Sequence, residues 1–230
     1  MHVAGVDGCR AGWVCIHQSQ GMVRIKVCET FLQIIDYLGP VSAIAVDIPI
    51  GLTAKGARSC DKAARKLLGW PRRNSVFSAP VWAVISETDY NAACGKHRKV
   101  DGRAISKQAF CILPKIREVN EILRNQLNLQ AYIREVHPEV SFTIWNDGRP
   151  MQNKKSSAPG IEERARLIDN EWPGERERLL RELDPSRCRV DDLNDAFAAL
   201  WSAKRILTGI AEVYGSCETD PYGLRMEICA

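Results

Sequence analysis

None of the nine cysteines (9, 15, 28, 60, 94, 111, 188, 217 and 229) stands at CxxC spacing, and their number is odd. The chain therefore specifies neither a paired-cysteine zinc site nor a complete disulfide framework, and reduced, partly buried thiols are expected. The four histidines form no cluster with these cysteines at zinc-ligand spacing. No apolar run approaches the roughly 20 residues that cross a bilayer, and Asp7 and Arg10 interrupt the N-terminus before any leader-like apolar stretch. A cytoplasmic protein with no membrane partner is expected. "DGCRAG" has too few glycines at the required spacing for a dinucleotide fingerprint or a P-loop. Aromatic residues make up only 7% and do not alternate with basic ones, which argues against a dedicated single-strand stacking platform. Internal repeats, low-complexity tracts and linkers are also missing.

What is present is an ordinary globular composition: 230 residues, 45% hydrophobic and 26% charged, enough for one large domain or two small ones. The net charge of +4 is unevenly placed. Residues 55–115 carry 13 Lys or Arg against 4 Asp or Glu, a local +9 that leaves −5 elsewhere. A polyanionic partner and a solvated helix face both account for such a run.

"HVAGVDG", "GWVCIHQ" and "MVRIKVCET" read as three strands joined by Gly-containing turns, an antiparallel meander. "TFLQIIDYLG" follows with helical spacing and a Gly-Pro stop, then "VSAIAVDIPIG" as a central strand apolar on both faces. Residues 58–69 predict a basic helix, residues 87–108 are polar and Gly-interrupted, and "AFCILPKIREVNEILRNQ" resumes a helical pattern. "LQAYIREVHPEVSF" predicts a fifth strand stopping at Pro138. "GIEERARLIDNEW" and "GERERLLREL" are amphipathic helices, "VDDLNDAFAALWSAKRILTG" is the clearest helix, and "LRMEICA" reads as a closing strand.

Asp7 lies inside a strand that otherwise reads as buried, where an unpartnered carboxylate costs several kcal/mol. Asp47 repeats the situation at the end of the fourth strand. If those strands are parallel neighbours, both carboxylates emerge at one sheet edge, where open α/β folds place their sites. Asp192 and Asp195, three apart, share one face of the long helix. Asp191 or Asp192 is explained equally well as a helix cap, but Asp195 lies a turn further in. Four converging carboxylates repel one another unless cations neutralise them, and an all-oxygen set favours Mg²⁺ or Mn²⁺. Such ions activate water and stabilise the leaving oxygen of a phosphodiester, which makes Asp7, Asp47, Asp192 and Asp195 candidate metal ligands.

The β-β-β-α-β order with these acids resembles the RNase H-like fold, and the helix pair resembles that of Holliday-junction resolvases. More narrowly, "GVDGCRAGW", "VDIPIGL", "RRNSVFSAP", "SKQAFCILPKIREV", "EVHPEVSF" and "DDLNDAFAAL" resemble the motif set of the domain of unknown function 429, described as predicted RNase H-like nucleases. The resemblance covers nearly the whole chain. It implies one RNase H-like domain over residues 1–230, with a mixed five-stranded central sheet flanked by helices and a basic helical and loop insertion around 55–115. It also implies a divalent-metal-dependent nuclease or phosphodiesterase acting on nucleic acid or a nucleotide, with Glu135 as a further catalytic acid beside Asp7, Asp47, Asp192 and Asp195. Arg10, Arg72, Arg73, Lys115 and His137 are candidate substrate-binding residues, although each is equally at home in a salt bridge or a hydrogen bond. A non-catalytic metal- or nucleotide-binding protein of the same fold, or an actin-like phosphotransferase, are the alternative readings. The second normally pairs two such domains, more than 230 residues hold.

Overall fold

In the first 30 residues β-branched and apolar side chains dominate, broken only by two-residue turns, and this composition produces a three-stranded meander. The computed structural model describes all 230 residues. Strands β1 (His2–Cys9), β2 (Gly12–Ser19) and β3 (Met22–Cys28) lead into helix α1 (Phe31–Leu38) and strand β4 (Ala43–Val46). Helices α2 (Ser59–Leu68), α3 (Tyr90–Asp101), α4 (Lys107–Cys111) and α5 (Leu113–Asn125) come next. Strand β5 (Ile133–Glu135) then precedes α6 (Pro138–Trp145), α7 (Ala158–Glu171), α8 (Glu175–Glu182) and α9 (Val190–Thr208). No helix is long and apolar enough to cross a membrane.

The chain divides into two compact units. The first comprises Met1–Asp47, Tyr132–Glu212 and Cys229–Ala230. Its five-stranded sheet has the order β3-β2-β1-β4-β5, antiparallel on the β3-β2-β1 side and parallel from β1 through β4 to β5. This mixed α/β sheet flanked by helices is the expected architecture, consistent with an RNase H-like arrangement. Thr30 caps α1 by accepting from the Gln33 amide at 3.2 Å while the Gln33 side chain accepts from the Thr30 amide at 3.2 Å, and Gly39 ends it at φ 58°. Helix α9 lies across β1, β2 and β4, buried along Leu193, Ala196, Phe197 and Leu200. Contact there is close enough that a Cβ on Gly5 would stand 2.0 Å from the Leu200 nitrogen and 2.3 Å from the Ala196 oxygen. Trp145 stacks on Trp201 at 5.1 Å and meets Trp172 edge-on, closing the core between α6, α7 and α9.

The second unit comprises Ile48–Ala131 and Val213–Ile228, so the basic stretch 55–115 falls wholly within it. A buried Arg58–Asp61 pair at 2.6 Å starts α2, and Asn120 of α5 fastens the loop before it by bonding the Gly51 amide and the Pro49 carbonyl, both at 2.8 Å. Two helices differ from the sequence reading. Residues 90–101 form α3 although they read as polar and irregular, because only Ala93, Cys94 and His97 are buried, too narrow a stripe to show as periodicity, and Gly95 weakens it further. Pro138 does stop the fifth strand, but it does so as a helix start: it occupies the first turn of α6, where its missing N–H costs nothing. The β-branched and aromatic residues of α6 disguise it as strand.

All nine cysteines are free thiols, and only Cys111 and Cys217 are exposed.

Candidate functional site

Strand register places the first two acids. Val6 pairs with Val46 in the parallel β1–β4 ladder, and the Asp47 amide continues it by donating to the Val6 carbonyl at 2.9 Å. Asp7 and Asp47 therefore follow matched positions and present their side chains to the same face, the one Gly5 turns toward α9. From α9, Asp195 faces them, one turn inside the helix among residues chosen for closeness: Ala196, Ala198 and Ala199 are all fully buried. Asp7 is 6% and Asp195 2% exposed.

Burial and mutual repulsion push these carboxyls up. Asp7 is raised well above the usual range, first by burial and then by the charges of Asp47 and Asp195. Asp47 is raised to about 6 by burial, with His137 and Lys155 pulling the other way and Asp195 adding repulsion. The neighbouring Asp7 side chain also favours its charged form. Asp195 is likewise raised by burial against the attraction of Lys155. The Gly8 amide donates to Asp7 Oδ1 at 2.7 Å.

The cation in this cluster is Lys155, in the segment before α7. Its Nζ donates to Asp195 Oδ2 at 2.5 Å and stands 3.7 Å from Asp191 Oδ2. Burial opposes its charge, but Asp195, Asp7 and Asp47 overcome this and hold the ammonium protonated far above the usual lysine range. Behind Asp195 lies a second buried pair, Arg164 with Glu139, in which the fully buried guanidinium also donates to the Gly160 carbonyl at 2.8 Å. Glu139 bears on Asp195 as a like charge and Arg164 as an opposite one.

The other predicted residues are placed differently. Asp192 is half-buried and accepts the Arg189 amide at 2.9 Å, closing the first turn of α9, so the capping role is real; its charge nevertheless reaches Asp7. Glu135 pairs with Val46, one residue out of step with Asp47, and its side chain consequently projects to the opposite face of the sheet. The register thus separates Glu135 from the aspartates, a correction to its expected place among them. His137 precedes α6, with its buried Nδ1 lacking any partner and its charge bearing on Asp47. Arg10 is exposed and donates to the Ser186 carbonyl at 3.3 Å. Arg72, Arg73 and Lys115 belong to the second unit. Lys155 and Arg164 escaped the sequence reading: nothing in "QNKKSS" separates Lys155 from Lys154, and Arg164 sits in a helix whose charges read as a solvated face.

A divalent cation suits the donors more than their present arrangement. The set is all-oxygen, and Asp195 Oδ1 and Glu139 Oε2 are buried with no hydrogen-bond partner. However, no three His, Cys, Asp or Glu side chains are arranged around one point as an ion requires, and the ammonium of Lys155 stands where neutralisation is needed.

Among family models, one of a protein of unknown function, DUF429, matches residues 5–219. No curated protein and no solved structure matches the chain.

Proposed function

The chain thus belongs to the DUF429 family, and on that footing we propose that it is an RNase H-like hydrolase of phosphodiester bonds in nucleic acid or nucleotides, dependent on Mg²⁺ or Mn²⁺. The observation that carries the reading is the convergence of buried Asp7 and Asp195 with half-buried Asp47 in one place, all three with pKa values raised by burial, Asp7 also by the charges of the other two and Asp47 by that of Asp195. Structural carboxylates are normally hydrogen-bonded into low pKa values; carboxyls held in mutual repulsion are typical of sites that receive a cation or pass protons. Asp7, Asp47 and Asp195 would hold the metal, with Asp192 at the margin. Bound there, it would polarise the phosphoryl group and lower the pKa of an attacking water.

The chain's own groups do the rest. Burial and like charge disfavour the ionised forms of Asp7 and Asp47, and a cation bound there would favour them. Lys155 restrains Asp195 and offers an ammonium to a phosphate oxygen. His137 lies close enough for its charge to favour ionised Asp47, and its buried Nδ1 has no hydrogen-bond partner.

One observation favours a second reading, a non-catalytic protein of the same fold: Lys155 already serves as a built-in counter-ion. The same experiment separates the two. Asp7→Asn keeps the side-chain shape and removes its charge. In the hydrolase reading millimolar Mn²⁺ raises the melting temperature of the parent, this rise disappears in Asp7→Asn, and metal-dependent cleavage of labelled oligonucleotides or bis-p-nitrophenyl phosphate is lost with it. A parent whose melting is indifferent to both ions, and which cleaves nothing, establishes the non-catalytic reading.

A further inference from the structure

The second unit contains a cavity of ≈ 630 Å³, within the size range of small-molecule sites. Its walls come from separated segments: the last turn of α2, the turn at residues 72–75 with the extended stretch after it, and the exit of α3 with the start of α4. Four cationic side chains line it, Arg65, Lys66, Arg73 and Arg103, and not one carboxylate does. A basic run on a solvated helix would spread its charges along one surface. Here they converge from three places.

The bonding shows which of these charges are free. Arg65 uses its guanidinium to fix the wall, donating to the Val76 carbonyl at 2.9 Å and to Ser78 Oγ at 3.1 Å, and no acid neutralises it. Arg103 is paired with Asp101 at 2.8 Å. Lys66 and Arg73 are exposed and have no acidic partner; Arg73 rests 5.6 Å from the Trp70 ring. A concave wall of one sign focuses its field inward and attracts ions of the opposite sign. Asn74, Ser78 and Ser106 add neutral donors, and Phe77 and Ile105 add apolar surface beside them. Cations plus donors plus a small apolar patch match a phosphate ester carrying an organic group of nucleotide size.

We propose that this cavity binds the phosphate groups of a nucleotide, either free or as a unit of a strand. Arg65 and Arg73 supply planar donors for phosphate oxygens and Lys66 a point charge. The inference rests on the second unit alone and adds a binding site to the proposed hydrolase without requiring that the aspartates catalyse anything.

Calorimetric titration of the full chain in EDTA at 50 mM NaCl tests it, using inorganic pyrophosphate, ADP and a six-nucleotide single-stranded DNA as probes. The expected result is submillimolar binding of at least one probe, weakened tenfold or more by Lys66→Ala with Arg73→Ala and weakened by added salt. Both side chains are exposed and without an acidic partner, and the Trp70 ring that Arg73 rests on is itself exposed, so the double variant should melt as the parent does. Binding of pyrophosphate and ADP identifies a free nucleotide as ligand, and binding of the oligonucleotide alone identifies a strand. No binding of any probe at millimolar concentration, or binding that the double variant leaves unchanged, overturns the proposal. Because EDTA excludes turnover, this outcome is independent of the Asp7→Asn assay.

Discussion

Replacing Asp47 by Asn measures the strain that the acidic site imposes on the fold. In the folded protein this carboxyl titrates at about 6 against an ordinary 3.8, because burial and the Asp195 charge outweigh the attraction of His137 and Lys155. A carboxyl with a raised folded-state pKa favours the fold while protonated. Its contribution is fully present below the unfolded value and is lost as pH rises through about 6. A displacement of about two units corresponds to about 3 kcal/mol. Partial exposure of Asp47 reduces this to about 2 kcal/mol. Asparagine does not titrate, so the stability of Asp47→Asn relative to the parent should improve by about 2 kcal/mol between pH 4 and pH 8. In melting temperature that is about 4–8 °C for a chain of this size. Urea unfolding in EDTA at pH 4, 6 and 8, followed by tryptophan fluorescence, reads it directly, since Trp13, Trp145, Trp172 and Trp201 all lie in the same unit as Asp47. A stability difference that stays constant to within about 0.5 kcal/mol across this range would refute the account of a strained carboxyl cluster.

Two further substitutions probe the same region. Lys155→Met leaves Asp195 buried without its cation; breaking a buried pair costs about 3–5 kcal/mol, but 42% exposure of the Lys155 side chain lowers the expected loss to about 2 kcal/mol at pH 8. That loss should shrink as pH falls and Asp195 takes up a proton, and Mn²⁺ should restore more stability to this variant than to the parent; equal stability of the two proteins in EDTA at pH 8 would count against Lys155 as the internal counter-ion. Gly5→Ala drives a methyl into the backbone of α9 at 2.0 Å, which no side-chain rotation relieves, so a loss of about 3 kcal/mol and of any metal response is expected. Unfolding within about 1 kcal/mol of the parent would show that α9 does not need that close approach.

The meander, the fourth strand and the long last helix were legible because their signals are local: alternation, turn residues and a wide apolar stripe repeat within a few residues. Asp7, Asp47 and Asp195 were legible for a related reason, since a carboxylate inside an apolar run violates the pattern around it. Helix α3 was not, because it buries too few side chains to leave a period, and α6 was not, because its residue types favour strands and tertiary packing overrode them.

What the chain by itself determined is therefore which residues must be buried and which acids are out of place among them. Only the tertiary structure decided which acids meet. A one-residue step in the β4–β5 register sends Glu135 to the far face, although its neighbours in sequence gave no sign of it. Lys155 reaches Asp195 across 40 positions of sequence, and the lysine before it has the same composition around it. Repulsion and pairing act through distance in space, and that distance is set by how helix α9 packs on the sheet rather than by any pattern along the chain.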